Sequence, residues 1–131
     1  MTKISPMLAV TNGAQAIEFY RKAFGATVLW QIETAVAELE IDGAPVFIGE
    51  QSGDHGHRAP VDLGGTSVRI ELFVDDPRAV LRKAVDSGAT LRSDVQEYEY
   101  PNSGPKPFAK LVQGSVLDPF GHIWLIGKLV Y

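Results

Sequence analysis

"MLAVTNGAQAIEFYRKAFGAT", residues 7–27, is echoed by "IELFVDDPRAVLRKAVDSGAT", residues 70–90; "RKA" and "GAT" are shared, with two extra residues before the second glycine. In both stretches an alternating apolar segment gives way to apolar residues at helical spacing and then to glycine. In the first, Ala16, Ile17, Tyr20, Ala23 and Phe24 fall on one side and Glu18, Arg21 and Lys22 on the other, which predicts an amphipathic helix ended at Gly25. In the second, Asp75-Asp76-Pro77 carries helix-start chemistry, and Ala79, Val80, Leu81, Ala84 and Val85 continue the spacing up to Gly88. A repeat of this length is the mark of a duplicated supersecondary unit.

Outward from these two stretches the chain reads as strands. Lys3 to Val10 alternates, and Ala26 to Glu33, Ala35 to Ile41 and Pro45 to Glu50 follow the first helix, the last two joined at the hairpin signal Asp42-Gly43. Gln51 to Gly65 is polar and glycine-rich without a period, the composition of a linker or mobile loop. Ser67 to Val74 alternates again; Thr90 to Tyr98 is strand-like, Tyr100 to Pro107 is a proline- and glycine-punctuated loop, and Phe108 to Leu117 and His122 to Val130 close the chain as a pair. Each half is therefore β-α-β-β-β. One helix covers only one face of its sheet, so two such units are expected to form an α+β fold: paired βαβββ modules making a cupped mixed sheet, helices outside and a cavity inside. The 131 residues suit a single domain, with module one at about 1–50, a linker at 51–66 and module two at 67–131.

The net charge of -4 and the scatter of the 12 Lys and Arg exclude a basic stripe, so nucleic acid and anionic membrane are poor partners. With no cysteine there is no disulfide, zinc-thiolate site or thiol nucleophile. No apolar run approaches a membrane span and MTKISPMLAV does not read as a signal peptide, which makes the cytoplasm the expected compartment.

Three stretches carry a family resemblance: "AIEFYRKAFGA" after the first strand, "FVDDPRAVLRKAVDSGA" after the fifth, and "VLDPFGHIWLI" at the close. In this order and spacing the chain resembles the vicinal-oxygen-chelate superfamily of glyoxalase I, extradiol dioxygenases and bleomycin-resistance proteins, and among these the small glyoxalase/bleomycin-resistance-like proteins. The resemblance implies a homodimer with cavities between modules, and a divalent metal held from the first and last strands of each module. Its four positions fall at Ser5, near Phe47 to Glu50, at Arg69 and at Leu125. Only Glu50 in that set is a metal donor of the required kind, and a guanidinium places positive charge where the cation would be. No metal and no cofactor is therefore expected.

The wall of the expected cavity follows from strand parity. Ile4, Leu8, Val10, Val68, Ile70, Leu72 and Val74 form the apolar set beneath the helices, while Ser5, Met7, Ala9, Arg69, Glu71 and Phe73 face the other way. Ala35, Ala37, Leu39 and Ile41 are the buried set of the third strand, leaving Val36, Glu38 and Glu40 opposite. Arg69 can fork onto a carboxylate, phosphate or carbonyl, and Glu38 is the candidate base should a reaction occur. The plain alternative has Arg69, Glu71, Glu38 and Glu40 as cross-strand ion pairs on a solvated sheet. Tyr98 and Tyr100 flank the late loop as a rim, whereas Trp30 and Phe108 read as core or dimer-interface residues. His122 shares the parity of Trp124 and Ile126 and starts the last strand after the turn Asp118-Pro119-Phe120-Gly121, a structural role. His55 and His57, an H-x-H pair without a third ligand, read as solvated loop histidines.

Two functions stand side by side. The first is a metal-free protein that binds a small aromatic or amphipathic molecule, such as an antibiotic, with Ser5, Met7, Glu38, Glu50 and Arg69 plus Glu71, Phe73, Tyr98, Tyr100 and Leu125 around it. The second is a lyase, isomerase or dioxygenase using an unconventional metal site, such as Glu50 and Glu71, or a carboxylate base such as Glu38. The missing metal donors and the mixed inward faces make the first the leading reading and the second its rival.

Overall fold

The computed structural model describes residues 1–100 and 104–131. The chain runs β1 (Met7–Val10), α1 (Gly13–Phe24), β2 (Thr27–Ile32), β3 (Val36–Ile41) and β4 (Ala44–Glu50). A 3-10 turn (Gly53–His55) and a short helix α2 (Pro60–Leu63) follow. The second module is β5 (Arg69–Phe73), α3 (Pro77–Asp86), β6 (Thr90–Glu99), β7 (Lys110–Leu117) and β8 (Ile123–Val130). The strands make two four-stranded mixed sheets, β1-β4-β3-β2 and β5-β8-β7-β6, with the same topology. In each, the first and fourth strands of the module pair in parallel and the remaining pairs are antiparallel. These are the paired βαβββ modules that the repeat announces.

Local chemistry sets the helix ends. Asn12 accepts from the Gln15 amide at 2.9 Å to cap α1, and Gly25 closes it in the left-handed region at φ 70°. Asp76 caps α3 through the Ala79 amide at 3.1 Å, ahead of Pro77. Asp42 and Gly43 both take positive φ, 47° and 86°, as a two-residue hairpin turn requires.

The modules share one cluster of buried side chains. Leu8, Val10, Ala37, Leu39 and Ile48 enter it from the first sheet, Val116, Trp124 and Ile126 from the second, and Phe19, Tyr20, Leu81 and Ala84 from the helices. Trp124 sits with its ring centroid 4.6 Å from that of Phe24 and 5.7 Å from that of Tyr20, so the last strand of module two rests on the helix of module one. Burying such large rings is the dominant stabilising contribution at this junction.

Three expectations change. The first strand begins at Met7, not Lys3, and the fifth at Arg69, not Ser67; Ile4 and Val68, expected beneath the helices, are 91% and 60% exposed because the residues preceding each ladder are not bound by its alternation. The segment 51–65 is fastened rather than loose. Gln51 donates to Asp62 at 2.6 Å and accepts from the Ala59 amide at 3.0 Å, the Val61 amide donates to the Phe120 carbonyl at 3.0 Å, and Ala59 and Pro60 are buried. Helix α3 stops at Asp86, before Gly88, with the Ser87 hydroxyl bonded back to the Lys83 carbonyl at 2.7 Å. The late loop expected at Tyr100 to Pro107 falls partly on 101–103, outside the described residues.

Candidate functional site

The face of each sheet turned away from the shared core is the place to look for chemistry. In the first sheet, register aligns Met7, Phe47, Glu38 and Trp30 in one row across all four strands. The next row on that face is Ala9, Gly49, Val36 and Ile32. Trp30 donates its indole N–H to Glu38 Oε1 at 2.8 Å and meets Phe47 edge-on at 6.0 Å. Trp30 is 43% and Met7 47% exposed, so a half-open aromatic and thioether surface surrounds one fixed carboxylate. The intervening parity, Leu8, Ile48 and Ala37, is buried as the alternation predicts.

The second sheet repeats the design with different side chains. Arg69 aligns with Ile123 and Leu117; Glu71 with Leu125, Ser115 and Ser93; Phe73 with Gly127, Gln113 and Gln96. Gln113 reaches Glu71 at 3.4 Å, and the Ser93 and Ser115 hydroxyls are 3.0 Å apart. Phe73 is 51% exposed and, with Glu71, borders a hollow of about 690 Å³ shared with Asp42 and Ala44 of the first module's hairpin. Tyr98 bonds to Gln96 at 3.2 Å, and Tyr100 stacks edge-on with Phe108 at 5.5 Å.

Within one chain the candidate residues thus fall on two different sheet faces. Among the described residues Glu38 and Arg69 share no hydrogen bond or ion pair, and the four charged residues considered for cross-strand pairing form no salt bridge. The cross-strand pair that does form is Lys110 with Glu97 at 2.6 Å, where the ammonium holds the glutamate carboxyl below its usual range.

The donor set does not suit the metal that the family resemblance implies. Ser5 lies ahead of β1 with its hydroxyl given to the Pro45 carbonyl at 3.0 Å, and Glu50 accepts from the Gly13 amide at 2.9 Å at the start of α1. Arg69 and Leu125 offer a cation and an alkyl group. No group of three His, Cys, Asp or Glu among the described residues is arranged to hold an ion.

His122 and Asp118 explain themselves structurally. His122 is buried, and its Nε2 donates to the Ala9 carbonyl at 2.8 Å, tying the second sheet to β1. Asp118, 3% exposed, accepts from the amides of Phe120 and His122 and from the Trp124 indole at 2.9, 3.0 and 2.9 Å, and also from the Tyr20 hydroxyl. Burial, and then the neighbouring Asp118 charge, push the Tyr20 phenol well above its ordinary range.

His57, expected as a solvated loop histidine, is instead half-buried. A Cβ on Gly49 would lie 3.5 Å from the His57 ring and 3.4 Å from Met7 Sδ, so His57 packs over the open face of the first sheet where Gly49 leaves room. Its Nε2 is 3.4 Å from the Met7 carbonyl. His55 stays exposed, 2.9 Å from Ser52 Oγ.

Comparison with known proteins agrees with this geometry. The model of the Glyoxalase/Bleomycin resistance protein/Dioxygenase superfamily matches residues 4–126. The chain belongs to that superfamily. An uncharacterized protein of Mycobacterium bovis, Mb0911c, is 33% identical over 97% of this chain and 83% of its own length. A glyoxalase-related enzyme from Fulvimarina pelagi superposes with a TM-score of 0.70 at 17% identity, covering 98% of this chain and 88% of that one. A bleomycin-binding protein solved in complex with bleomycin gives 0.64 at 13% identity, covering 98% of each chain. At these identities the two structures speak for the fold of this superfamily member.

Proposed function

We propose that the protein is a metal-independent binder of a small aromatic or amphipathic molecule, acting as a single-domain homodimer in the cytoplasm. The carrying observation is the open face of the first sheet, where Trp30, Phe47 and Met7 leave apolar area exposed around a carboxylate already oriented by an indole N–H. In a two-fold dimer that open face meets the Arg69, Glu71, Phe73 and Leu125 face of a second copy, bringing fixed charge of both signs to an apolar hollow. A bleomycin-binding protein of the same fold, solved in complex with bleomycin, supports this reading.

Each candidate carboxylate is oriented by a donor of the protein itself. Glu38 is bonded to Trp30, Glu50 to the Gly13 amide and Glu71 to Gln113. One donor fixes each carboxylate and leaves it further lone pairs for polar groups of a ligand.

Calorimetric titration with bleomycin and a panel of aromatic antibiotics tests the reading. A true ligand raises the melting temperature in proportion to the logarithm of its excess, Trp30→Ala and Arg69→Ala each weaken it about tenfold or more, and Glu38→Gln reveals no lost turnover. Stoichiometric retention of a divalent ion that raises the melting temperature, or turnover abolished by Glu38→Gln, overturns the proposal.

A further inference from the structure

A second hollow lies at the seam between modules, where its lining takes in Met7 and Ala9 at the edge of the first sheet's open face together with the connecting segment and β5. It encloses about 440 Å³ between β1 and β5, the edge strands of the two sheets, under the segment that joins them. That volume suits a small organic molecule. Its chemistry runs against the rest of the chain. The protein carries a net charge of -4, yet the titratable side chains among the described residues lining this hollow are Arg58, His57 and His122, with no Asp or Glu. Leu63, Val68 and Ile70 supply apolar wall, and Leu63 and Val68 are more than half exposed.

Arg58 is the anchor. Asp54 and Asp62 lie close to it in sequence, but it forms no ion pair or hydrogen bond with another described residue, and a Cβ on Gly53 would lie 3.4 Å from its terminal nitrogen. The two imidazoles are oriented by main-chain carbonyls, His122 by Ala9 at 2.8 Å and His57 by Met7 at 3.4 Å. Arg58 therefore supplies the permanent positive charge of the hollow, and the two imidazoles add polar ring atoms beside it. One planar fork beside apolar wall matches one carboxylate on an apolar body better than it matches a phosphate dianion, which draws several donors.

We propose that this seam hollow is a binding site for a small monocarboxylate with an apolar body, distinct from the cluster around Trp30 and Glu38, neither of which lines it. Titration calorimetry and amide NMR with phenylacetate and octanoate as probes, and phenylacetamide as the uncharged counterpart, test it on the whole chain. The expected result is saturable binding of both carboxylates, with perturbed amides at His57, Arg58 and Val68, and no binding of the amide. Arg58→Ala, a change at an exposed residue, lowers affinity at least about tenfold. Filling the hollow with Val68→Trp abolishes binding, while Glu38→Gln and Arg69→Ala leave it unchanged. The proposal fails if neither carboxylate binds at millimolar concentration, if Arg58→Ala binds as tightly as the parent, or if the perturbed amides lie around Trp30 and Glu38 and not along the connecting segment.

Discussion

Tyr20 keeps its phenol proton beyond the pH at which a free tyrosine ionises, because the ring is buried and the oxygen faces the Asp118 carboxylate. In the unfolded chain that proton leaves near the ordinary value of 10.0, so above this pH the native state binds more protons than the unfolded state and stability falls as pH rises. Alkaline denaturation beginning above pH 10 is the expected outcome, and Tyr20→Phe removes this contribution to the pH dependence. At neutral pH the same substitution deletes one donor to a buried carboxylate, with an expected loss of about 1–3 kcal/mol in urea unfolding. Half of this cluster was legible in the sequence. "DPFG" reads as a turn in which Asp118 bonds its own backbone, and it does so. Its bond to Tyr20 spans 98 positions, and no local pattern encodes a contact made only when two modules pack.

Elements were more legible than the joints between them. The two helices and the hairpin at Asp42-Gly43 follow from spacing and turn chemistry, whereas the strand starts at Met7 and Arg69 are fixed by ladder pairing that the alternating residues before them do not reveal. The connecting segment shows the difference most clearly, since its composition reads as a loose loop while its anchors lie on a distant turn. Gly121 marks that anchor: its φ is 92°, and a Cβ there would come within 2.4 Å of the Val61 amide nitrogen. Gly121→Ala is therefore strained in its backbone and crowded against the segment, with an expected loss of about 2–4 kcal/mol measured by denaturant unfolding. Amide exchange should quicken at Val61, whose hydrogen bond goes to the Phe120 carbonyl. Gly13→Ala meets a similar obstacle, since its Cβ would fall 1.6 Å from the Thr34 carbonyl oxygen, and it should unfold at lower denaturant as well.

At the scale of the molecule, one chain leaves apolar surface in water on an edge strand and on both open faces. Val28, Leu29, Trp30 and Ile32 of β2 are 38–63% exposed on an edge strand, and Met7 and Phe73 are about half exposed on the open faces. Contiguous apolar surface beside an unpaired edge is where association is expected. Sedimentation velocity should give twice the chain mass, and Ile32→Glu should return the monomer without unfolding it; a wild-type monomer at micromolar concentration contradicts the dimer. Which residues share an open face was reachable from strand parity because pairing keeps them in rows. His57 was not, since its place over Gly49 depends on how the connecting segment folds back. The two tryptophans have opposite surroundings: Trp124 is 1% exposed among aromatic rings, and Trp30 is 43% exposed beside Glu38. An indole in a dry environment emits further to the blue than one that water can reach. The molecule therefore carries its own two-colour optical gauge, in which the blue component follows loss of the native state and the red component follows whatever settles beside Trp30.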